Sequence, residues 1–113
     1  MDEKLESLKR CLKDAAEMER ELWYQLRDLP CYDEVDAERV KLQGMIDDLN
    51  RHNMDYDDWE KDLSDLMAAH PDYALLFHER EKLIDYHDDI RREIVKMGYE
   101  WDASVRDFVR KAA

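Results

Sequence analysis

The sequence predicts an all-α protein, a helical bundle of four to five helices in which two long antiparallel helices, the first and the fourth, form a coiled-coil-like hairpin. Gly and Pro number only two each and Thr is absent, so the residues typical of turns and sheets are scarce. Strong helix formers dominate, and apolar residues recur at helical spacing. Because 44% of the chain is hydrophobic, folding can offset its entropy cost despite many charges. We expect a single acidic helical domain over residues 1–113.

The first two helices are predicted on either side of Pro30. Over residues 2–29, a mostly apolar series follows alternating steps of three and four, as in a heptad seam: Leu5, Leu8, Leu12, Ala15, Glu19, Leu22, Leu26 and Leu29. Pro30 ends this helix. Over residues 34–52, a second helix carries its apolar residues on one face: Val35, Leu42, Met45, Ile46 and Leu49. A break after residue 52 is favoured, with Asn53 or Asp55 as the N-cap of the next helix.

Pro71 separates the third and fourth predicted helices. The fourth extends to Gly98, which is expected at the C′ position because glycine readily adopts the left-handed conformation found there. After Gly98, a last short helix is predicted over residues 99–113. Its apolar face would consist of Trp101, Val105, Phe108, Val109 and Ala112.

Three charged residues interrupt the apolar faces of the two long helices. Glu19 lies in that of the first helix, and Arg80 and Arg91 lie in that of the fourth. If the helices pack antiparallel, Glu19 should be buried and paired with one of the arginines, because an unpaired charge inside an interface is costly.

The acidity of the chain is concentrated between Asn53 and Asp72. This stretch has seven acids and one base, Lys61, and so carries half of the net charge of -12. Nucleic acids and anionic membranes attract clustered Lys and Arg, so we expect neither as a direct partner. A basic protein surface is the electrostatic complement, and we expect the surface of a nucleic-acid-binding protein.

Ten acidic residues form the predicted partner-binding surface. Six belong to the third segment and four to the second: Asp55, Asp57, Asp58, Glu60, Asp62 and Asp65, with Asp33, Asp36, Asp47 and Asp48. Acids in a first helical turn are favoured by the helix dipole, so a merely solvated face is the competing interpretation. That interpretation leaves Asp58, Asp62 and Asp65 unexplained, because like charges three and four positions apart repel and Asp is a poor helix former.

These features favour a non-enzymatic, acidic module that occupies a basic, nucleic-acid-binding surface of another protein by mimicking nucleic acid. In size and charge the chain is similar to acidic phage inhibitors of the anti-CRISPR and anti-restriction type, although no motif is shared with them. The alternative is a structural or adaptor protein that acts through homodimerisation or apolar helix docking. Salt separates the two, because charge-driven binding weakens with ionic strength.

Catalytic and metal sites are not indicated by residue spacing. None of the four histidines belongs to a Glu-x-x-His motif of the kind found in di-iron bundles. His78, Glu81 and Asp85 share one helix face, which we interpret as solvated. No serine lies beside a plausible base with an orienting carboxylate, and the two cysteines form no C-x-x-C motif. We therefore expect no enzyme, no cofactor and no metal.

The cytoplasm is the expected location. We find no leader sequence and no apolar run near 18 residues. The predicted helix between Cys11 and Cys31 separates them too far for a disulfide within one chain, which fits a reducing compartment.

Overall fold

The computed structural model of the protein describes residues 2–111 and is mostly helical. Within these residues lie four helices and one two-stranded sheet: α1 (Glu3–Arg27), α2 (Tyr32–Arg51), α3 (Asp57–Ala69), α4 (Pro71–Lys96), β1 (Tyr99–Asp102) and β2 (Asp107–Arg110). The predicted helical class and the positions of the first four helices are confirmed.

The chain divides into two compact units, each with its own hydrophobic core. Unit 1 consists of Met1–Glu21 and Arg80–Ala113, and unit 2 is Leu22–Glu79. The antiparallel pairing of α1 and α4 over their full lengths stays a prediction, as does the organisation as one domain.

The core of unit 1 combines residues from α1, α4 and β2. Leu5 and Leu12 meet Ile90, Ile94 and Phe108, and all five are at least nine-tenths buried. On both helices these residues are spaced at one or two turns, so each helix presents one apolar stripe to the cluster. Removing this apolar area from water is the main stabilising term in unit 1.

The last segment is a β-hairpin, so the helix predicted over residues 99–113 is wrong. Tyr99 pairs with Arg110, and Trp101 pairs with Phe108, in an antiparallel register. The rings of Trp101 and Phe108 meet edge to face with centroids 5.2 Å apart. Apolar residues spaced for a helix can also alternate along short strands, and aromatic and β-branched residues then favour the sheet. Ala112, part of the predicted apolar face, lies outside the described residues.

Local backbone chemistry also favours this hairpin. Gly98 has φ 93°, confirming its expected left-handed conformation after α4, and its carbonyl accepts a hydrogen bond from the Lys111 N–H at 2.8 Å. In the turn, the Asp102 carboxylate accepts hydrogen bonds from the Ser104 N–H at 2.9 Å and the Ser104 hydroxyl at 2.5 Å. These bonds lower the pKa of Asp102 and stabilise the turn over a continued helix.

Glu19 pairs with Arg80, which is one of the two arginines predicted as its partner. The carboxylate oxygen Oε1 lies 3.5 Å from Arg80 Nη2, and the two side chains are 28% and 32% exposed, respectively. Glu19 is therefore only partly buried, contrary to the prediction, and solvent reaches both members of the pair. Arg91 is exposed and makes no ion pair within residues 2–111.

Replacing Glu19 with alanine is expected to lower the free energy of unfolding by about 1 kcal/mol, because the pair is partly solvated. The loss exceeds zero because the variant removes the carboxylate beside Nη2 of a guanidinium whose Nε is already buried without a hydrogen-bond partner among residues 2–111. Urea unfolding measures the difference, with Glu17→Ala, an exposed acid on the same helix, as the control. A loss above about 3 kcal/mol would show that the pair is buried after all.

Unit 2 is organised around Tyr73, whose side chain is fully buried. Its hydroxyl donates to Asp36 Oδ1 at 2.7 Å and accepts from Arg39 Nε at 2.7 Å. The Arg39 guanidinium carbon lies 4.4 Å from the centre of the Phe77 ring, which in turn stacks on Tyr73. Tyr73 thus connects α4 to α2 through both polar and aromatic contacts.

The connection between α2 and α3 confirms the predicted break. Asn53 occupies the C′ position of α2 with φ 55°. The Asn53 N–H donates to the Asn50 carbonyl, and the Met54 N–H donates to the Leu49 carbonyl. This pair of bonds is the Schellman motif that ends a helix. Asn53 therefore ends α2 and does not begin α3. Asp55 is not the N-cap either, because that position is Tyr56. Its carboxylate nevertheless accepts the Asp57 N–H at 2.9 Å just before the helix begins.

None of the helices within residues 2–111 combines the length and apolar character needed to cross a bilayer. Cys11 and Cys31 are both free thiols of intermediate exposure.

Candidate functional site

A groove between α2 and α3 is the candidate site in unit 2. Its volume is about 530 Å³, and Trp59, Leu42 and Leu66 form its apolar part. Charged residues from both helices surround these side chains: Glu38, Lys41, Asp62 and Asp65. The groove therefore offers an aromatic and aliphatic surface with three carboxylates and one ammonium group around it. Such a surface suits a cationic side chain with a long aliphatic stem.

The structure brings Asp62 and Asp65 together at this groove, two of the ten acids predicted to bind a partner. Asp57, Asp58 and Glu60 are exposed in the first turn of α3, and Asp55 is exposed just before it. The groove thus lies on a helix whose exposed carboxylates continue beyond it.

The four predicted acids of α2 have different surroundings. Asp33 is exposed in the first turn, and Asp47 is exposed with an accepted hydrogen bond from Gln43 at 2.9 Å. Asp48 is exposed, and its carbonyl lies 2.8 Å from His52 Nδ1. Asp36 is instead bonded to Tyr73 and Arg39, which gives its carboxylate a structural role inside unit 2.

The acids of the third segment lack internal counterions. Within residues 2–111, none of the seven acids between Asn53 and Asp72 makes an ion pair. Some acids elsewhere do pair with bases: Glu6 and Asp107 both pair with Lys9, Glu19 with Arg80, and Glu93 with Lys96. The negative potential of α3 is therefore not neutralised by neighbouring side chains.

Glu38 and Lys41 are site residues that the sequence analysis missed. Glu38 lies four positions before buried Leu42 on α2, and Lys41 lies three positions after Glu38. Side chains three and four positions apart share a helix face, so charged residues beside a core position could have indicated the rim of a groove. What the spacing could not indicate is which helix packs against that face.

The apolar face of α3 is incompletely covered. Trp59, Leu63, Leu66 and Met67 are of intermediate exposure, and no residue of Asp57–Ala69 is buried. Isolated helices of this length are marginal in water, so α3 depends on its packing against the rest of unit 2, in which Leu66 and Met67 contact the core of Leu26, Val35 and Tyr73. The helix that carries five of the seven acids thus contributes no fully buried side chain to that packing.

Amide hydrogen exchange is expected to be faster in α3 than in α2, because local opening of α3 exposes little buried apolar surface. The opening free energies should differ by at least about 1 kcal/mol. Exchange followed by mass spectrometry after proteolysis, with the Tyr32–Arg51 peptides as the internal reference, provides the measurement. Equal protection of both helices would show that they open together.

Within residues 2–111, no group of three His, Cys, Asp or Glu side chains is placed to hold a metal ion.

Comparison with known protein families, curated proteins and solved structures finds no match to this chain.

Proposed function

We propose that the protein is a non-enzymatic module that binds a basic surface of another protein through the acidic face of α3 and the adjoining groove. The observation that carries this proposal is the absence of ion pairs for the seven acids between Asn53 and Asp72 within residues 2–111. A partner's Lys and Arg side chains would supply the missing counterions. Six of the predicted acids belong to α3 and the residues just before it, and the exposed α2 acids Asp33, Asp47 and Asp48 would extend this surface. Asp36 is left out because of its internal bonds.

Nucleic-acid mimicry is the favoured mechanism. Carboxylates four positions apart on a helix are separated by about 6 Å along its axis, a spacing comparable with that of phosphates on a nucleic-acid strand. Asp58 and Asp62 have this spacing, and Asp65 follows three positions later. A surface that evolved to contact phosphates would therefore meet a similar row of charges, as with acidic phage inhibitors of host nucleases.

The groove adds a contact that a phosphate chain lacks. An Arg or Lys of the partner could place its stem on Trp59 and its charge near Asp62 and Asp65, which combines cation–π attraction with ion pairing. Lys41 lies in the same groove and makes no ion pair within residues 2–111. Its positive charge opposes an incoming cation, so attraction to the groove rests on the three carboxylates around it.

The proposal is tested by identifying what the protein retains from cells of its native host and then using the purified partner. We expect a nucleic-acid-binding protein that is retained at low salt and released as the ionic strength rises to about 0.3 M. Binding of the purified partner to nucleic acid and to this protein should be mutually exclusive. A partner that binds both simultaneously would exclude mimicry.

Self-association is a second candidate, favoured by large hydrophobic side chains that are exposed on the long helices of unit 1. Met18, Tyr86 and Val95 are 55%, 49% and 53% exposed. Covering them with a second copy would remove apolar surface from water. Sedimentation at high micromolar concentration should then give twice the mass of 13.7 kDa. A monomer under these conditions would exclude the dimer.

A further inference from the structure

Unit 1 contains a cavity whose charge is opposite to that of the chain as a whole. Its volume is about 440 Å³, and α1, α4 and the β-hairpin all contribute to it. Four cationic residues line it, Lys9, Lys13, Arg91 and Arg106, against a single carboxylate, that of Asp107. In a protein of net charge -12, such a concentration of bases calls for a separate explanation.

The single carboxylate in the cavity is already neutralised. Asp107 Oδ1 lies 2.7 Å from Lys9 Nζ, and this contact lowers the pKa of Asp107 and raises that of Lys9. Lys13, Arg91 and Arg106 are exposed and make no ion pair within residues 2–111. Three unpaired cations around one cavity repel each other, and a bound anion would relieve that repulsion.

The cavity also has an aromatic wall. Trp101 is 48% exposed and is supported edge to face by the buried Phe108 ring, and buried Leu12 lies beneath the same cavity. A supported, half-exposed indole has a free face on which a planar ring can stack. The lining thus combines a stacking surface with phosphate-binding side chains, since Arg recognises phosphate with paired hydrogen bonds.

We propose that this cavity binds a nucleoside phosphate, with the base stacked on Trp101 and the phosphates contacted by Arg91, Arg106 and Lys13. The volume lies within the range of about 300–1,000 Å³ typical of small-ligand sites. It is too small for a duplex, so a mononucleotide is the occupant that matches both size and chemistry. The site belongs to unit 1 and does not depend on the acidic surface of unit 2.

Calorimetric titration of the full chain with ADP tests the proposal. We expect a Kd of about 0.1–1 mM, with adenosine and inorganic pyrophosphate each at least about tenfold weaker, because each keeps only one of the two contacts. Arg91→Gln should weaken ADP and pyrophosphate alike by at least about fivefold. Trp101→Val, which keeps a residue suited to a strand, should weaken ADP and leave pyrophosphate unchanged.

Arg92→Gln provides the matched control, because Arg92 is the neighbouring arginine, does not line the cavity and pairs with Asp89 at 3.3 Å. It should leave ADP affinity within about twofold of the wild type. Unchanged circular dichroism of each variant shows that the fold is retained. No binding of ADP at about 5 mM would overturn the proposal, as would a tri-glutamate peptide that binds as tightly as ADP. Equal affinities for ADP and pyrophosphate would overturn the stacking contact with Trp101.

Discussion

Replacing Tyr73 with alanine is expected to lower the free energy of unfolding by about 3–5 kcal/mol, the range found for deleting a buried aromatic ring. The side chain is fully buried and stacks on Phe77 with ring centroids 5.8 Å apart. Its loss leaves a cavity and removes both hydrogen bonds of the hydroxyl. Since small domains are stable by about 5–15 kcal/mol, this single change would remove a large part of the total.

Tyr73→Phe separates the contribution of the hydroxyl from that of the ring. It should cost about 1–3 kcal/mol, because Asp36 loses a donor in a partly buried position. Urea unfolding gives both differences, with Tyr24→Phe, an exposed tyrosine of the same unit, as the control. If Tyr73→Phe were as stable as the wild type, the hydrogen bonds to Asp36 and Arg39 would contribute nothing net.

Alkaline pH provides an independent measurement of the same hydroxyl. Burial, together with the hydrogen bond to Asp36, raises the pKa of Tyr73 above its ordinary value, and the bond from Arg39 opposes this only in part. The unfolded chain therefore releases this proton first, near pH 10, while the folded protein retains it. This stabilisation is fully present below about pH 10 and is lost as the pH rises above it. In that range the free energy of unfolding of the wild type should fall more steeply than that of Tyr73→Phe, by about 1.4 kcal/mol per pH unit.

The sequence predicted the helices better than it predicted the sites. Pro30, Pro71 and Gly98 act on the backbone of their own neighbourhood, so their effects could be read locally. The hairpin was missed because Trp101, Phe108 and Val109 fit a helical spacing as well as a pair of strands, and only the Asp102 turn distinguishes the two.

Contacts between distant residues were beyond sequence reasoning. In the sequence nothing distinguishes Asp36 from the other acids of α2. In the structure it accepts a hydrogen bond from the hydroxyl of Tyr73, which lies 37 positions later. The basic cavity of unit 1 had a partial local signal, since Lys9 with Lys13 and His87 with Arg91 are each four positions apart on one helix. Its third wall comes from the hairpin that was predicted as a helix, so the cavity itself could not be foreseen.

The largest expected effect on binding comes from converting Asp58, Asp62 and Asp65 to Asn. All three are exposed and unpaired within residues 2–111, and they repel each other along one helix. The free energy of unfolding should therefore stay level or rise slightly. Affinity for the basic partner should fall at least about tenfold, because three favourable charge contacts are lost.

Two further variants distinguish the α3 surface from net charge alone. Converting the exposed α1 acids Asp14, Glu17 and Glu21 to their amides removes the same charge and should change partner affinity by less than about twofold, since long-range attraction is screened by salt. Lys41→Gln adds net negative charge at the groove and should strengthen binding, because it removes repulsion of the incoming cation.

Low salt is the decisive condition for this set, because surface charges act most strongly when screening is weakest. If the α3 triple variant and the α1 control weaken binding equally there, only net charge matters, and α3 is not the binding face. If neither changes the affinity, the partner does not recognise carboxylates, and docking through exposed apolar side chains becomes the better explanation. A loss confined to the α3 variant, with a gain for Lys41→Gln, requires that the partner's cations reach the groove beside Trp59.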